Sequence, residues 1–419
     1  MAALRKSLLQ LVFSGAYLLR WNDKLRPVEL AELDKQAHKM LTACLLWQEN
    51  TASLPGRERV GIAARIVEGG IADYLYRLII TDIKPPVFYR IRENPEHLRQ
   101  LTAHVLQRLE PCAGQLGDFW SRLRQWHERG AETAADSGER LARRILDAAH
   151  LYASSWEFHL IRPLNAFDEE MDEIGASFQT RLDAFRDLAG MAAILDGTDA
   201  LARVANLCGR LRFQIRWTQV PRIPATSVLG HMFLVAVYAY FFSLEAGACT
   251  ARACNNFFCG LLHDLPELLT RDIIAPVKTS VPSLPGILRQ YELEELQRRI
   301  FQPLRRDGYG ALADRLGYYL GMETGSEFHD AILRDGHAKR VRDFFELHDR
   351  FNDDALDPKD GMLIKVCDSL AAFMEAHSSI RNGVSAASMQ EACIGLGQKL
   401  RSSPLSTRLG LEALLADFE

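Results

Sequence analysis

The side chains best suited to chemistry in this sequence are histidine and aspartate neighbours. Three His-Asp dipeptides occur, beginning at positions 263, 329 and 348. Only His263-Asp264 ends an apolar run, Asn256–Leu262, and only this pair follows a histidine on another apolar segment, His231, by 32 residues. The other two pairs lie in charged stretches, which favours a solvated helix face for them. His263-Asp264 is therefore the candidate for function.

A further carboxylate, Asp368, opens a later apolar helix and completes a set with His231, His263 and Asp264. Two imidazoles and two carboxylates suit one borderline divalent ion such as Mn, Co, Fe or Zn. Such a set balances the ion's charge and can leave coordination positions open, where bound water loses a proton near neutral pH. Taken alone, His231 would be interpreted as a core or capping histidine, but the whole set favours a metal site.

The elements that must position these ligands are helices. Apolar residues recur at helical spacing in nearly every segment, whereas the alternation typical of strands is hard to find. The clearest predicted helices are Leu141–Leu151, Met232–Leu244, Ala253–Leu262 and Met362–Met374. Predicted turns lie at the Pro and Gly clusters Ile83–Val87, Pro221–Pro224 and Pro276–Pro285. The sequence therefore predicts an all-α fold.

A series of landmarks recurs in the same order about 195 residues further along the chain. The paired landmarks are Arg20-Trp21 with Arg216-Trp217, His38 with His231, Asp73 with Asp264, Asp82 with Asp272, and Asp147 with Asp368. The interval from Asp73 to Asp147 is 74 residues, whereas the interval from Asp264 to Asp368 is 104 residues. We predict two tandem helical domains, an N-terminal half (1–165) and a C-terminal half (206–419), joined by a helical connector over 166–205. Two related domains are expected to pack about a pseudo-two-fold axis, as an intrachain pseudo-dimer.

The N-terminal half lacks two of the groups that the chemistry needs. Position 72 is alanine where the C-terminal half has His263, and Tyr76 stands where the C-terminal half has Glu267. We therefore expect weak or no metal binding there, an inactive copy, and one metal ion per chain.

Composition narrows the function classes. The 419 residues are 48% hydrophobic and 25% charged, which is typical of a soluble globular protein. A formal net charge of −4 attracts neither nucleic acid nor an anionic membrane, so an anionic substrate must be bound by local charges or a metal. The apolar start lacks a small-residue cleavage site, and the run Met232–Phe242 is shorter than the roughly 20 residues of a membrane span. Eight cysteines without a C-x-x-C pair indicate no disulfide framework, so we expect a cytoplasmic protein.

The ligand set His231, His263-Asp264 and Asp368 resembles that of the HD-domain metal-dependent phosphohydrolases, which are named after it. The stretch HDLPELLTRDIIAPVK, which begins at His263, is most similar to the bacterial 5′-deoxynucleotidase branch. That branch also carries an Arg-Trp pair about fourteen residues before its first metal histidine, as Arg216-Trp217 does here. The resemblance covers about 206–290 and 360–385.

The resemblance implies a role for each matching residue. The metal ligands would be His231, His263, Asp264 and Asp368; the catalytic and substrate-binding residues would be Glu267 near the attacking water, Arg216 and Lys278 on the phosphate, and Asp272 with Trp217 at the sugar. Glu267 shares a helix face with Asp264 if the helix continues, which suits a general acid or base. Structural alternatives stay open: a buried aromatic for Trp217, a turn residue for Asp272 and a solvated charge for Lys278.

The resemblance implies that the C-terminal half removes the 5′-phosphate from deoxynucleoside monophosphates by means of a metal-activated water. A phosphodiesterase or a nucleoside triphosphate hydrolase is an alternative, because the same metal set serves all three and the gap before Asp368 is long. A non-catalytic nucleotide-sensing scaffold is a further alternative, against which Glu267 argues. The expected partner is a small-molecule nucleotide.

Overall fold

The computed structural model describes residues 4–129, 133–270 and 281–419. Nearly all of the secondary structure in these ranges is helical, which confirms the predicted all-α class. The helices are α1 (Lys6–Phe13), α2 (Glu32–Thr51), α3 (Gly56–Ile80), α4 (Pro85–Glu93), α5 (Pro95–Ala113), α6 (Asp118–Glu128), α7 (Ser137–Ile161), α8 (Glu170–Asp183), α9 (Met191–Asp196), α10 (Ala200–Arg210), α11 (Val228–Glu245), α12 (Thr250–Leu262), α13 (Glu267–Thr270), α14 (Leu284–Leu296), α15 (Gln302–Arg306), α16 (Gly310–Tyr319), α17 (Phe344–Phe351), α18 (Gly361–Arg381), α19 (Ala387–Arg401) and α20 (Leu411–Ala416).

A β-hairpin interrupts the helices in the C-terminal half. Strand β1 (Ala331–Arg334) pairs antiparallel with β2 (His337–Arg340). The hairpin and α17 lie within the long gap between Asp264 and Asp368, and they account for part of its extra length. The sequence predicted neither strand.

The four predicted helices lie within α7, α11, α12 and α18. At the Pro cluster 83–87 the predicted turn is short, because α4 begins at Pro85, where a proline at the start of a helix costs no hydrogen bond. The predicted boundary between residues 205 and 206 falls inside a continuous helix, α10. Residues 276–280 of the third Pro cluster lie outside the described ranges.

Helix α11 is buried along nearly its whole length and is packed against α2, α12 and α18. The Ser227 hydroxyl caps it by accepting a hydrogen bond from Gly230 N at 2.9 Å. A Cβ on Gly260 of α12 would lie 3.0 Å from the Ala236 backbone, so glycine allows α12 to approach α11 closely. This packing brings the start of α11 and the end of α12 together.

Within the described residues, α11 is also the one helix that is long and apolar enough to cross a membrane. Its apolar window is 89% buried inside the fold, as for the core helix of a globular protein.

The chain enters α2 and α11 through the same local geometry. Leu19 and Ala31 form an isolated antiparallel bridge, and Ile215 and Ser227 form another whose residues both lie 196 positions later. Trp21 and Trp217, which share this spacing, both have left-handed backbones, with φ of 55° and 58°. Positive φ is a strained conformation for a bulky residue, so its occurrence at both positions is a specific correspondence.

The 196-residue spacing of these repeated features corrects two of the pairings made from the sequence. Counting 196 positions back from His231 leads to Lys35, whereas His38 lies almost a turn further along α2. The His38 ring contacts Trp156, and its Nε2 lies 2.9 Å from the Ala205 carbonyl oxygen, so it faces α10. The pairing of His38 with His231 was therefore wrong, because it matched residue type and not helix register.

The second correction concerns Asp147. Glu157 accepts a hydrogen bond from Trp21 Nε1 at 3.1 Å, as Glu375 does from Trp217 Nε1 at 2.9 Å. Seven residues before each glutamate stand His150 in α7 and Asp368 in α18. The residue that matches Asp368 is thus His150, one turn beyond Asp147.

The two halves share one hydrophobic core. A continuous cluster of buried apolar residues extends along the chain from Leu4 to Leu415. Contacts between the halves include the stacked rings of Trp47 and Phe258, 5.3 Å apart. Between α2 and the cap of α11, the Ser227 hydroxyl donates to Asp34 Oδ1 at 2.6 Å.

Candidate metal centre

Three of the predicted ligands come together where α11 begins, α12 ends and α18 passes. His231, His263 and Asp368 each offer one ligand atom, and these atoms lie within 4.8 Å of one another. His231 is in the first turn of α11, His263 directly follows α12, and Asp368 is on α18. Both imidazoles are buried, whereas Asp368 is partly open to solvent.

Asp264, the fourth predicted ligand, adjoins this group. Its Oδ2 lies 3.2 Å from His263 Nε2 and 3.9 Å from His231 Nε2, and His231 Nε2 lies 3.1 Å from Asp368 Oδ1. Ligands bound to one ion at about 2.1 Å stand about 3 to 4 Å apart. His263 Nε2 is moreover buried without a well-formed hydrogen bond. His231, His263 and Asp368 therefore could hold a divalent ion, and Asp264 lies beside them.

Polar contacts orient both imidazoles. His263 Nδ1 lies 2.8 Å from the Gly260 carbonyl oxygen, so Nδ1 carries the proton and leaves Nε2 for a metal. His231 Nδ1 lies 3.4 Å from Glu375 Oε1. A carboxylate behind a ligand imidazole fixes the ring and makes it a better electron donor.

Glu375 is a residue of this site that the sequence analysis missed. It is fully buried in α18, and it accepts hydrogen bonds from Trp217 Nε1 at 2.9 Å and Thr226 Oγ1 at 2.7 Å. Burial raises its pKa, but the guanidinium groups of Arg216 and Arg222 outweigh burial and hold the pKa well below its ordinary value. Its signal in the sequence is a glutamate inside an apolar helix, two turns after Asp368 and on the same face.

Arg216 lies at the edge of the ligand cluster. Its Nη1 is 3.4 Å from Asp264 Oδ2 and its Nε is 3.4 Å from Glu375 Oε2. Burial lowers its pKa, but surrounding carboxylates, led by Glu375 and Asp264, outweigh burial and raise it. A permanently charged, planar guanidinium thus stands beside the metal ligands with 12% of its side chain exposed.

Trp217 is held in place from two directions. Its indole donates to Glu375, and its left-handed backbone lies in the segment that the bridge at Ile215 ties to the start of α11. The indole is therefore fixed relative to the ligands, and it is only partly buried.

Glu267 lies at the start of a separate helix, α13, and not on a continuation of α12. Helix α12 ends at Leu262, the chain turns through 263–266, and Glu267 begins α13 with its backbone N bonded to the Asp264 carbonyl oxygen at 3.0 Å. The condition that the helix continues past Asp264 is therefore not met. Glu267 is nevertheless buried, and its charge is one of those that raise the pKa of Arg216.

The remaining sequence-based assignments have different outcomes. Asp272 and Lys278 lie outside the described residues. Of the other His-Asp pairs, His329-Asp330 is not on a solvated helix face: Asp330 is 4% exposed and accepts a hydrogen bond from Met362 N at 2.9 Å. Burial, followed by the nearby Asp360, raises the pKa of Asp330 to about 7.

The charges of His263, Asp264 and Asp368 influence one another. Burial lowers the pKa of His263, but the carboxylates of Asp264 and Asp368 outweigh it and raise the pKa to about 9. The pKa of Asp264 is lowered in turn, because His263 and Arg216 outweigh its burial. A metal ion must displace the imidazole proton, so metal affinity is expected to rise with pH.

Comparison with known proteins agrees with this geometry. Residues 208–395, somewhat less than half of the chain, match the family model described as HD domain. The match contains the four candidate ligands as well as Arg216, Glu267 and Glu375, and it supports a likeness of this part of the chain to the HD domain. No curated protein and no solved structure matches the chain.

Proposed function

We propose that the C-terminal half hydrolyses phosphate monoesters, and that its substrate is the 5′-phosphate of a deoxynucleoside monophosphate. The observation that carries this proposal is a guanidinium, that of Arg216, within 3.4 Å of a carboxylate of the candidate metal centre. A phosphoryl group bound between Arg216 and a metal ion held at this centre would meet positive charge from both sides, as its transition state requires.

Each residue has one task in this reaction. His231, His263, Asp264 and Asp368 would hold a divalent ion, which when bound supplies Lewis acidity and an acidified water. Arg216 binds two phosphate oxygens with its planar fork. Glu267 accepts a proton from the attacking water as the water oxygen bonds to phosphorus. The P–O5′ bond breaks and the proton passes to the leaving O5′, so that the products are a deoxynucleoside and inorganic phosphate.

The deoxyribose preference rests on Trp217. Its indole is fixed by Glu375 next to the ligands, in a position suited to a rigid wall against a ribose 2′-hydroxyl. A wall of this kind discriminates by about 1–3 kcal/mol. Sugar contact by Asp272 and phosphate contact by Lys278 remain predictions from the sequence.

We also propose that the two halves derive from a duplication and pack about a pseudo-two-fold axis. The repeated bridges, the paired left-handed tryptophans and the two Trp-to-glutamate hydrogen bonds support this proposal. The N-terminal half would then be an inactive copy, because Ala72 and Tyr76 replace the counterparts of His263 and Glu267.

The first experiment tests the metal and the reaction together. Protein purified without chelator is analysed for metal and then assayed against nucleoside mono-, di- and triphosphates and cyclic dinucleotides. We expect one transition metal per chain and phosphate release from deoxynucleoside 5′-monophosphates. Asp264→Ala should lose the metal and melt at a lower temperature, since a ligand of the native state stabilises it by mass action. Unchanged metal content in this variant would contradict the assigned site.

The second experiment tests the sugar preference. Trp217→Phe should narrow the ratio of kcat/KM between deoxy and ribo substrates. The matched control is Trp21→Phe in the N-terminal half, where the same backbone and the same hydrogen bond to a glutamate occur away from the metal centre. Equal activity of the wild type on both sugars, or activity on cyclic dinucleotides alone, would overturn the substrate and leave the metal site standing.

A further inference from the structure

The N-terminal half contains its own arginine and tryptophan held by one buried glutamate. Arg20 Nε and Trp21 Nε1 donate to Glu157 Oε2 at 2.7 and 3.1 Å, and the Arg-Trp pair of the C-terminal half contacts Glu375 in a similar way. Both side chains of the N-terminal pair are partly open to solvent. The two groups to which we assign the phosphate and the sugar in the C-terminal half therefore have counterparts in the N-terminal half.

Nitrogen groups fill two positions that carry metal ligands in the C-terminal half. Lys35 lies 196 residues before His231, the spacing of the repeated bridges, and His150 stands seven residues before its glutamate, as Asp368 does. Lys35 Nζ donates to His150 Nδ1 at 2.6 Å, which leaves the ring proton on Nε2. An amino group donates N–H bonds whether it is charged or neutral. These two positions therefore offer hydrogen-bond donors, whereas a metal ion needs lone pairs.

A second guanidinium lies beside Arg20. Arg77 Nε is 3.5 Å from Glu32 Oε2, the oxygen that accepts a hydrogen bond from Arg20 Nη1 at 2.9 Å. Arg77 also donates to Asp82 at 2.8 Å, so an added ligand would share this guanidinium with a carboxylate. The side chains of Arg20 and Arg77 are 12% and 19% exposed, whereas Glu32 is fully buried. Solvent thus reaches two permanent positive charges but not the carboxylate that they share.

Arg20, Lys35, Arg77 and His150 form what we call the N-terminal cationic cluster. His150 is the exposed member. Removal from bulk water by the surrounding helices lowers the pKa of His150, and the neighbouring amino and guanidinium groups, led by that of Lys35, lower it further. The charges that act most strongly on this exposed ring are therefore positive, which favours an anion as its partner.

The amino group of Lys35 is subject to the same positive potential. Burial lowers its pKa, Glu32 opposes burial, and Arg20, Lys39 and Arg77 add to the lowering. A bound anion would act in the opposite direction on the amino group. The binding of an anion would thus relieve the repulsion between the members of the cluster.

We propose that the N-terminal cationic cluster binds the phosphate group of a nucleotide without a metal ion and without hydrolysing it. The two guanidinium groups bind phosphate oxygens, the imidazole and the amino group donate further hydrogen bonds, and Trp21 lies against the sugar. Hydrolysis is not expected, because nitrogen donors occupy two of the ligand positions. The choice of a nucleotide rests on the proposed function, because it gives Trp21 the role proposed for Trp217.

The first test is a titration of the metal-free full chain, prepared by dialysis against EDTA. Each of the four deoxynucleoside 5′-monophosphates is added, and binding is measured by isothermal titration calorimetry. Without an ion, Asp264 and Asp368 of the C-terminal half repel a phosphate. We therefore expect one equivalent of nucleotide to bind per chain, more weakly at higher salt concentration. Absence of binding by all four nucleotides overturns the proposal.

Two substitutions of His150 locate the bound phosphate. His150→Glu places a negative charge at the cluster and gives Lys35 a carboxylate partner, so the fold should melt no lower than the wild type while nucleotide affinity falls about tenfold or more. His150→Gln keeps a neutral donor and should retain most of the affinity. Equal weakening in both variants, or no weakening in the glutamate variant, contradicts the proposal.

A second pair of variants removes one guanidinium each from α3. Arg65 lies at the surface and pairs with Asp136, whereas Arg77 belongs to the cluster. Arg77→Gln should weaken nucleotide binding, and Arg65→Gln should leave it unchanged. Equal affinities in these two variants would exclude Arg77 from the site and overturn the proposal.

Inorganic phosphate tests the class of ligand in the same titration. A nucleotide should bind more tightly than inorganic phosphate, and Trp21→Phe should narrow the difference. Equal affinities for the two ligands would overturn the assignment of a nucleotide. These measurements use metal-free protein and depend on residues 21, 77 and 150. A lack of phosphate release by the metal-loaded enzyme would therefore refute the proposed function without changing them, so the two failures are distinguishable.

Discussion

Replacing Glu375 by glutamine tests whether this buried carboxylate acts on the metal centre through His231. The substitution keeps the shape of the side chain and removes its charge. Glu375 Oε1 lies 3.4 Å from His231 Nδ1, and its loss should make the imidazole a weaker ligand. Removing such a partner typically lowers metal affinity about 10- to 100-fold, which is about 1.4–2.8 kcal/mol.

The same substitution also affects stability. Glu375 is buried beside Arg216 and Arg222, at 3.4 and 3.5 Å. Breaking a buried ion pair by removing one partner costs about 3–5 kcal/mol. A loss of affinity must therefore be distinguished from a general loss of stability.

The chain supplies the matched control. Glu157 in the N-terminal half is equally buried, and it accepts hydrogen bonds from Arg20, Arg212 and the Trp21 indole at 2.7, 2.8 and 3.1 Å. Glu157→Gln should destabilise the chain by a similar amount without changing metal affinity. Affinity is measured by competition with a chromophoric chelator, and stability by urea denaturation of the metal-free proteins. Equal affinities for Glu375→Gln and the wild type, or an equal loss in both variants, would refute the reasoning.

Three other predictions follow from particular contacts. Burial raises the pKa of Asp34 from 3.8 to about 6. The folded state therefore binds the Asp34 proton more tightly than the unfolded state does. Protonated Asp34 contributes its full stabilisation below pH 3.8, and this stabilisation is lost as the pH rises through 6. Asp34→Asn, which does not titrate, should therefore gain up to about 3 kcal/mol over the wild type between pH 4 and 7, as measured by urea denaturation at each pH. Arg216→Lys keeps the charge but not the fork, so kcat/KM should fall at least tenfold with metal content unchanged. Residues 206–419 alone should self-associate in size-exclusion chromatography with light scattering, because the faces of α11 and α12 that pack on α2 and α3 become exposed.

The ligands could be found in the sequence because each stands at the end or on the face of a strongly apolar helix. His231 lies in α11 and His263 directly follows α12, two strongly apolar helices, and histidine is rare enough in this sequence for the spacing to be informative. Glu375 could not be identified in the same way. A glutamate within a helix usually faces solvent, and only the fold shows that Arg216, Trp217 and His231 converge on it.

The N-terminal half shows a second limit of prediction from sequence, which concerns helix register. His38 was paired with His231 because the two match in residue type, whereas the repeated bridges place Lys35 at the position that lies 196 residues before His231. Helix register is fixed by backbone contacts such as the Leu19–Ala31 bridge, which leave no signature in residue type. The β-hairpin escaped prediction for a related reason: four-residue strands are too short for alternation to be distinguished from helical spacing.

The shared core has a consequence for how the molecule opens. Because one apolar cluster continues from Leu4 to Leu415, unfolding of either half would expose apolar surface of the other half to solvent. A ligand that binds only at α11, α12 and α18 therefore stabilises the whole cooperative unit. Occupancy of the C-terminal site would slow proteolysis and amide exchange in α2 and α3, helices that contribute no ligand. Slower amide exchange in the N-terminal half would then indicate that the metal centre of the C-terminal half is occupied.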